Sequence, residues 1–423
     1  MAESAGPRAT LYRVPALLYD NHVEDPEHYK PGGYHPIDIG DILTNATSGD
    51  RYTVIHKLGY GGFSTVWLAK RQRKHPLTGD PLPISFHALK ILRADLDRAS
   101  HESGFLQCLG QVGKSSHPNV IMLEDSFTIS GPNGQHHCLV FPFVGPSISS
   151  SKIVDKLTPS QRHSVCQQLA NAIDFMHSHG ICHGDLIPSN IALTVPGIQS
   201  MTEYDLLGVL GPIKDETLQL RKGPVPRSRH APKKIVAAAS FSGFNFGSAS
   251  LPRVQIIDFG VAFHTNRPPP TLGCPMQFFP PELLFGYQAS DKSDIWQLAA
   301  IIFYVYTGCY MFQVGFPIFA HLIAFIIKFH GPLPSHWRDR YDWSRDAKPG
   351  KPVKKLVEPS WWFDGTKSTE SFDNRVAEEA TSLPAPQRVE LAKLLRDMVA
   401  WEPSSRISAA EAYRRLKEPI FQS

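Results

Sequence analysis

The fold of this chain is decided by one stretch of sequence, RYTVIHKLGYGGFSTVWLAK, at residues 51–70. Polar and apolar residues alternate before the glycines, and β-branched and aromatic residues follow them. This pattern predicts a strand, a glycine turn and a second strand. The apolar runs FHALKIL at residues 86–92 and HCLVFPFV at 137–144 predict two further strands. Pro142 has no backbone N–H to donate, so it marks a sheet edge or the exit from the sheet.

Several helices are predicted in the remaining chain. Thr158-Pro159-Ser160-Gln161 has the pattern of an N-cap, a proline at the first helical position and a capping-box glutamine. Apolar residues at helical spacing continue to Met176, and Gly180 ends the helix. Similar patterns predict helices at residues 294–307 and 388–400. A β-rich first part followed by a helix-rich second part predicts an α+β, bilobal protein.

Composition excludes several classes of protein. Lys and Arg number 43 and Asp and Glu 39, so the net charge of +4 argues against polybasic nucleic-acid binding. Hydrophobic residues make up 42%, too many for a disordered chain. The six cysteines lack C-x-x-C spacing, which favours a reducing compartment, the cytoplasm or the nucleus, over a zinc cluster or a disulfide framework.

We expect neither a secretory signal nor a membrane span. The first residues, MAESAGPRATLYRV, lack the apolar run of a signal peptide. The apolar stretches 295–312 and 316–329 are interrupted by polar residues and are shorter than the roughly 20 residues that a span requires. Both are therefore predicted to be buried core helices.

The sequence predicts three parts. Residues 1–50, rich in Pro, Gly and Asp, are predicted to form an extended N-terminal arm with little core of its own. Residues 51–144 form the predicted N-lobe and residues 145–423 the predicted C-lobe. Two loop-rich insertions, at about 195–250 and 334–386, are expected within the C-lobe.

The first chemical motif combines the glycine turn with a lysine. Residues 58–66, LGYGGFSTV, are followed by Ala88-Leu89-Lys90. Glycines let backbone amides approach phosphate oxygens without a Cβ between them, and a lysine on a neighbouring strand supplies a positive charge. A glycine turn alone also occurs in ordinary β-hairpins, so it is the lysine strand that favours phosphate binding.

Two further motifs follow in order. In residues 183–190, HGDLIPSN, Asp185 can accept a proton from a hydroxyl nucleophile and Asn190 can hold a metal ion. In residues 254–260, VQIIDFG, a strand ends in the carboxylate of Asp258, which can chelate Mg²⁺. Together with the glycine turn these motifs supply nucleotide phosphate binding, two Mg²⁺ ligands and a base, the parts needed for phosphoryl transfer.

From about residue 51 to 421 these motifs resemble, in order, those of the eukaryotic-type protein kinases. The resemblance includes Pro280-Pro281-Glu282, the start of a central helix at Ser293-Asp294-Ile295-Trp296, and Arg406, which in these kinases pairs with the glutamate. It implies a protein kinase fold with a small β-rich N-lobe and a larger helical C-lobe. The stretches GGYHP and IGD at 32–41, with residues 51–70, are similar to the SR-protein kinases, in a divergent fungal-type branch.

The resemblance implies roles for individual residues. Lys90 would hold the α- and β-phosphates of ATP, with Glu102 as its partner. Asp185 would be the catalytic base, and Asn190 and Asp258 would be the Mg²⁺ ligands.

Further roles are implied around the adenine. Phe141 would be the gatekeeper of a hinge, and the backbone of Pro142 and Val144 would bind the adenine. His183 and Phe259 would be packing residues. The implied nucleotide-binding positions are Leu58, Gly59, Gly61, Gly62, Ser64, Val66, Ala88, Lys90, Glu102, Phe141, Pro142 and Val144.

Three features depart from the family pattern. Gly184 replaces the arginine that reads a phosphorylated activation loop, so we expect no requirement for loop phosphorylation. Ile187 replaces the lysine that most Ser/Thr kinases place on the transferred phosphate, and Ser189 does not supply the tyrosine-kinase arginine. Loss of such a charge typically costs ~2.7–4 kcal/mol, two to three decades in rate. The KPGKPVKK run at 348–355 weakens the expectation of Arg/Ser-rich substrates, although a solvated loop is its simpler interpretation.

The sequence leaves three hypotheses. The leading one is a Ser/Thr protein kinase that uses Mg-ATP and a basic or Arg/Ser-rich protein substrate, without direct nucleic-acid or membrane binding. The second is a pseudokinase or nucleotide-binding scaffold, which Ile187 and Gly184 favour. The third is a small-molecule kinase, because His183-Gly184-Asp185 resembles the H-G-D of aminoglycoside and choline kinases. The peptide-positioning segment implied at 273–282 argues against the third.

Overall fold

The structure is a computed structural model of the 423-residue chain. It describes residues 12–13, 15–16, 23–75, 77–95, 99–111, 117–149, 151–221, 229–245, 251–313, 315, 318–346 and 371–421. The chain divides into two compact units. The first unit comprises Met1–Gly110, Ile121–Gly145 and Val195–Gly247, and the second comprises Gln111–Val120, Pro146–Thr194 and Ser248–Ser423.

The described elements follow a β-rich to helix-rich order. The strands are β1 Ile42–Thr44, β2 Arg51–Gly61, β3 Ser64–Gln72, β4 Ser85–Leu92, β5 Asp125–Gly131, β6 Gly134–Pro142, β7 Ile181–Cys182, β8 Ile191–Leu193, β9 Asp215–Thr217, β10 Lys234–Val236, β11 Val254–Ile256 and β12 Phe263–His264. The α-helices are Ala99–Gln111, Ser151–Val154, Pro159–Ser178, Glu203–Leu210, Asp291–Thr307, Phe319–His330, Phe372–Glu379, Ala385–Met398 and Ala409–Leu416. Short 3-10 helices lie at Pro26–His28, Pro188–Asn190, Ile198–Ser200, Met276–Phe278, Pro281–Phe285, Ser335–Arg340, Trp343–Asp346, Pro403–Ser405 and Pro419–Phe421.

The first unit is built on a six-stranded sheet in the order β1-β2-β3-β4-β6-β5, in which every neighbouring pair is antiparallel. The predicted strands at residues 51–70, 86–92 and 137–144 are confirmed as β2, β3, β4 and β6. β6 ends at Pro142, as its missing N–H predicts. β5 escaped prediction because its sequence, DSFTISG, contains only two large apolar residues.

The arm and the first insertion both pack on this sheet. The core of the first unit contains Trp67 and Leu89, together with Ile37 and Leu43 from the arm and Val236 from β10. The arm, predicted to have little core of its own, therefore contributes apolar residues to the core of the sheet. The insertion at about 195–250 was expected within the C-lobe, whereas residues 195–247 lie in the first unit. Local sequence patterns do not encode which body an insertion packs against.

Capping residues fix the helices of the second unit. Thr158 Oγ1 accepts a hydrogen bond from the Gln161 N–H at 3.3 Å, and Gln161 Oε1 accepts one from the Thr158 N–H at 3.0 Å, which confirms the predicted capping box. The helix predicted from residue 294 begins at Asp291, because Ser290 Oγ accepts a hydrogen bond from the Lys292 N–H at 3.2 Å.

The helix Asp291–Thr307, here called the central helix, runs through the core of the second unit. Every residue from Ser293 to Tyr306 is buried. The helix Phe319–His330 also buries one apolar face. The described helical parts of the two apolar stretches, residues 295–307 and 319–329, thus lie in buried helices, as predicted. No helix within the described ranges is long and apolar enough to cross a membrane.

Candidate functional site

The glycine turn joins β2 to β3 in the first unit. None of Gly59, Gly61 and Gly62 adopts a positive φ. A Cβ added at any of them would meet no atom of the described residues within 4 Å. Among the described residues, no positive φ and no neighbouring atom requires glycine here, and the predicted approach of phosphate to the backbone is compatible with this open setting.

Lys90 and Glu102 meet in the first unit, as the resemblance implies. Lys90 Nζ donates to the two carboxylate oxygens of Glu102 at 2.8 and 2.7 Å. Lys90 is 8% exposed and Glu102 is 2% exposed. A buried carboxylate that accepts through both oxygens fixes the position of the ammonium group. Phe105 and Leu106, on the same helix, are also buried.

The sheet register gathers other predicted nucleotide positions beside Lys90. Val66 lies opposite Lys90 between β3 and β4, and Ala88 lies opposite Phe141 between β4 and β6. Directly opposed residues, and residues two apart on one strand, share a face of the sheet. Val66, Ala88, Lys90 and Phe141 therefore share the face on which Lys90 meets Glu102.

The remaining predicted nucleotide positions lie in the same unit. Leu58 is half-buried near the end of β2, and Ser64 is buried at the start of β3. Pro142 and Val144 are half-buried at the end of β6 and just beyond it. Their role as backbone partners of an adenine stays a prediction.

Asp185 and Asn190 lie together in the second unit, on the segment between β7 and β8. Asn190 Nδ2 donates to Asp185 Oδ2 at 3.0 Å and to the Asp185 carbonyl at 2.9 Å. Asp185 Oδ1 is buried and has no hydrogen-bond partner in the described part of the chain. Burial raises the pKa of Asp185; His183 opposes this shift and the charge of Asp258 adds to it. An oriented carboxylate with an unused acceptor oxygen can take a proton from a hydroxyl group.

Asp258 follows β11 in the second unit and has an unusual backbone conformation. Its φ is +65°, in the left-handed region, and its Oδ1 accepts a hydrogen bond from the Gly260 N–H at 3.3 Å. Non-glycine residues held in this region cost of order 1–3 kcal/mol and cluster at functional sites. The N–H of Ile257, the residue before Asp258, donates to the Asn190 carbonyl at 2.9 Å. This backbone hydrogen bond connects the segments that carry the two predicted Mg²⁺ ligands. Carboxylate and amide oxygens are the hard ligands that Mg²⁺ prefers, so the donor set fits this ion.

The residues that support this segment were not recognised in the sequence. Asp294, on the central helix, accepts the backbone N–H groups of His183 at 2.8 Å and Gly184 at 2.9 Å. Gln297, one helical turn further on, accepts the Leu186 N–H at 2.9 Å. Asp294 and Gln297 are both fully buried. The available signal was a carboxylate and an amide, at i and i+3, next to the apolar residues of a helix predicted to be buried, because such buried groups require partners.

A cluster of possible metal ligands lies beside this support. His177, Cys182 and Asp294 bring one ligand atom each within 4.8 Å of the others. His177 Nε2 lies 3.0 Å from Asp294 Oδ2, and both Asp294 oxygens already bind the backbone N–H groups described above. We therefore assign this cluster a structural role.

The two predicted packing residues contact each other. The rings of His183 and Phe259 lie edge to face with centroids 5.0 Å apart, and Phe259 is fully buried. His183 Nε2 lies 3.1 Å from the Ile257 carbonyl. These contacts hold the segments of Asp185 and Asp258 together within the second unit.

The two departures beside Asp185 have different structural settings. Gly184 has a φ of +78°, and an added Cβ would lie 3.0 Å from the Val261 carbonyl oxygen and 3.3 Å from the Phe263 ring. An arginine at this position would strain the backbone, so glycine is a requirement of the local structure. Ile187 is half-buried in extended backbone just before the 3-10 helix Pro188–Asn190.

The predicted pair of Glu282 and Arg406 is present and fully buried. Arg406 Nη1 and Nη2 donate to the two Glu282 oxygens at 3.0 and 2.7 Å, and both side chains are 0% exposed. Ser293 Oγ also donates to Glu282, at 2.8 Å. The pair joins the segment that follows Asp258 to the C-terminal part of the second unit.

Related proteins are found by comparison of the sequence. The family model described as "Protein kinase domain" matches residues 52–201 and 247–416. A Physarum polycephalum protein named "Serine/threonine-protein kinase SRPK" is 25% identical, over 93% of this chain and 91% of that protein. "Serine/threonine-protein kinase spk-1" of Caenorhabditis elegans is 37% identical over 42% of this chain, and human "SRSF protein kinase 3" is 34% identical over 46%. These two matches span only 17% and 34% of the relatives' own lengths.

Proposed function

Because the chain belongs to the protein kinase domain family and is an SR-protein-kinase-like Ser/Thr protein kinase, we propose that it transfers the γ-phosphate of Mg-ATP to protein hydroxyl groups. The predictions of family, α+β fold and enzyme class are confirmed by the family match and the named relatives. Those relatives are protein kinases by name, which favours this hypothesis over the pseudokinase and the small-molecule kinase.

The residues of the first unit suit the binding of a nucleotide. Lys90 presents an ammonium group whose position is set by Glu102. It would hold the α- and β-phosphates of ATP. The glycine turn would offer backbone N–H groups to phosphate oxygens, and the backbone of Pro142 and Val144 would bind the adenine.

The observation that carries the proposal is the state of Asp185. Asn190 orients one of its carboxylate oxygens, and the other is buried without a hydrogen-bond partner among the described residues. Asp185 would accept the proton of the attacking hydroxyl through that oxygen. Asn190 and Asp258 would hold Mg²⁺, which when bound neutralises charge on the phosphate oxygens.

Ile187 sets an expectation for the rate. It supplies no positive charge where most Ser/Thr kinases have a lysine. Removing one preorganised stabiliser of this kind typically lowers kcat by about 10²- to 10³-fold. We therefore expect slow but measurable transfer.

The substrate proposed is a basic or Arg/Ser-rich protein. This proposal is supported by the name of the human relative, SRSF protein kinase 3. The KPGKPVKK run at 348–355, which weakened this expectation, lies outside the described residues. We propose that the protein acts in the cytoplasm or the nucleus.

The test is a transfer assay with γ-labelled ATP, Mg²⁺ and two acceptors, an Arg-Ser repeat peptide and a generic basic protein. Wild-type protein is expected to label serine or threonine, whereas Asp185→Asn and chelation of the metal abolish labelling. Asp185→Asn should still bind nucleotide, because Lys90 and the glycine turn are unchanged. Nucleotide binding by wild type without any labelling would favour the pseudokinase, and absence of nucleotide binding would refute the proposal.

A further inference from the structure

Three consecutive carbonyl groups of the glycine turn are held by two residues outside it. The Tyr34 hydroxyl, from the arm, donates to the Gly61 carbonyl at 2.7 Å. Arg93 Nη1 donates to the Gly62 carbonyl at 3.3 Å, and the Arg93 backbone N–H donates to the Phe63 carbonyl at 3.0 Å. We call Tyr34 and Arg93 the turn clamp. All of these residues belong to the first unit.

The turn clamp is itself anchored. Arg93 donates from Nε and Nη2 to the two carboxylate oxygens of Asp95, at 3.1 and 2.6 Å. Its guanidinium carbon lies 5.8 Å from the centroid of the Tyr34 ring, within cation–π range. Tyr34 is 3% exposed, and its carbonyl accepts a hydrogen bond from Asn133 Nδ2 at 2.6 Å. Neither side chain can move without breaking contacts elsewhere in the first unit.

The hydroxyl group of Tyr34 is a permanent donor under ordinary conditions. Burial, with the charge of Glu24 adding to it, raises the pKa of Tyr34 to about 12. The phenol therefore stays protonated and able to donate to the Gly61 carbonyl across the working range of pH.

Holding the carbonyls on one side has a geometric consequence. In a trans peptide unit the C=O of one residue and the N–H of the next point in opposite directions. Because the clamp engages the carbonyls of Gly61 and Gly62, the N–H groups of Gly62 and Phe63 are directed away from it. Successive N–H groups aimed to one side of a turn form a concavity that binds anions such as phosphate.

We propose that Tyr34 and Arg93 are positioning residues for the nucleotide: they hold the glycine turn in the conformation that presents its N–H groups to the phosphates. This inference rests on the proposed function, because it assigns the turn to ATP. An already ordered turn loses less conformational freedom when the nucleotide binds, so the clamp strengthens binding without touching the ligand.

Tyr34→Phe tests the clamp, because it deletes only the hydroxyl that bonds to Gly61. Tyr52→Phe is the matched control: Tyr52 is fully buried in the same unit, and its hydroxyl donates to Asp125 Oδ2 at 3.0 Å, away from the turn. Arg93→Lys is a second variant that keeps the charge but loses the forked contact with Asp95. All three are made in the full chain.

The first measurement is hydrogen exchange of the segment 58–66 without nucleotide. We expect faster exchange there in Tyr34→Phe and Arg93→Lys, and unchanged exchange in Tyr52→Phe. The second measurement is the Kd for ATP and the KM and kcat of transfer. One net hydrogen bond corresponds to about a 3- to 10-fold effect, so Kd and KM for ATP should rise by this factor while kcat changes less than about twofold.

The possible results distinguish a failure of the clamp hypothesis from a failure of the proposed function. Unchanged exchange at 58–66 in Tyr34→Phe would overturn the clamp, and so would faster exchange with an unchanged Kd. A Kd raised equally by Tyr52→Phe would show a general loss of stability and would also overturn it. If wild type binds no nucleotide, the proposed function fails and the nucleotide role of the clamp fails with it, whereas the exchange data still decide whether Tyr34 orders the turn.

Discussion

The ion pair between Glu282 and Arg406 offers the sharpest test of the second unit's architecture. The guanidinium group makes five hydrogen bonds, two to Glu282 and three to backbone carbonyls, with the carbonyl partners Ala400, Lys292 and Trp401. The Arg406 guanidinium carbon lies 4.9 Å from the Trp296 ring centroid. Glu282→Gln keeps the shape of the side chain but removes its charge and turns an N–H group toward Arg406.

The expected loss in the free energy of unfolding follows from the complete burial of this ion pair. Both side chains are 0% exposed, so neither Glu282 nor Arg406 can recover water once its partner is lost. Breaking one side of such a pair typically costs ~3–5 kcal/mol, because a charge remains buried without compensation. We expect this loss for Glu282→Gln and for Arg406→Met. In the double variant the free energy of unfolding should fall by at least ~2 kcal/mol less than the sum of the two single losses, because this variant buries no unpaired charge.

Pulse proteolysis in urea measures the free energy of unfolding for the four proteins of this cycle. Lys393→Met is the surface control, because it breaks the 2.7 Å ion pair between Lys393 and Glu390, whose side chains are 55% and 33% exposed. It should lower the free energy of unfolding by at most about 1 kcal/mol. The reasoning is refuted if Glu282→Gln costs no more than Lys393→Met. Strict additivity in the double variant would equally contradict it.

Three other predictions concern the turn, regulation and pH. Gly61→Ala should leave the melting temperature nearly unchanged, because an added Cβ meets no described atom within 4 Å. In a titration it should raise the Kd for ATP several-fold, because the Cβ would obstruct the approach of phosphate to the backbone. An unchanged Kd would contradict the approach of a ligand at this glycine. Phosphatase treatment of the purified protein should leave the transfer rate unchanged, because Gly184 replaces the arginine that reads a phosphorylated loop; lost activity would show the expectation to be wrong. Burial, reinforced by Arg406 and Arg396, lowers the pKa of His330 to about 4, so between about pH 6.5 and 4 the unfolded chain binds a proton that the folded chain excludes. Stability should therefore fall as pH drops through this window, and urea unfolding of His330→Phe should show a shallower fall than wild type.

Local chemistry made parts of this fold predictable. The capping box at Thr158 and Gln161, the end of β6 at Pro142 and the strands around the glycine turn all depend on neighbours in sequence. The pairing of Lys90 with Glu102 required a family resemblance, because residues on a strand and on a separate helix share no local pattern. The backbone of Gly184 in the left-handed region could not be foreseen, since glycine is compatible with any φ.

Long-range contacts supplied what the sequence concealed. Asp294 has a role only because the central helix brings it to the N–H groups of His183 and Gly184. Tyr34 belongs to a segment whose composition predicted an extended arm, yet it bonds to the glycine turn 27 residues further on. A buried polar group indicates that a hydrogen-bond partner exists, but the sequence does not show which residue provides it.

By itself, the amino-acid sequence determined the change from a β-rich first part to a helix-rich second part and the residue types available for phosphoryl transfer, because periodicity, capping and turn chemistry act over a few residues. Only the tertiary structure decided that the first insertion packs with the sheet of the first unit, that Asp185 keeps one buried oxygen without a described partner, and that the arm holds the glycine turn. These features depend on segments far apart in the chain, and the free energy that joins them comes from burial and hydrogen bonds that no local pattern records.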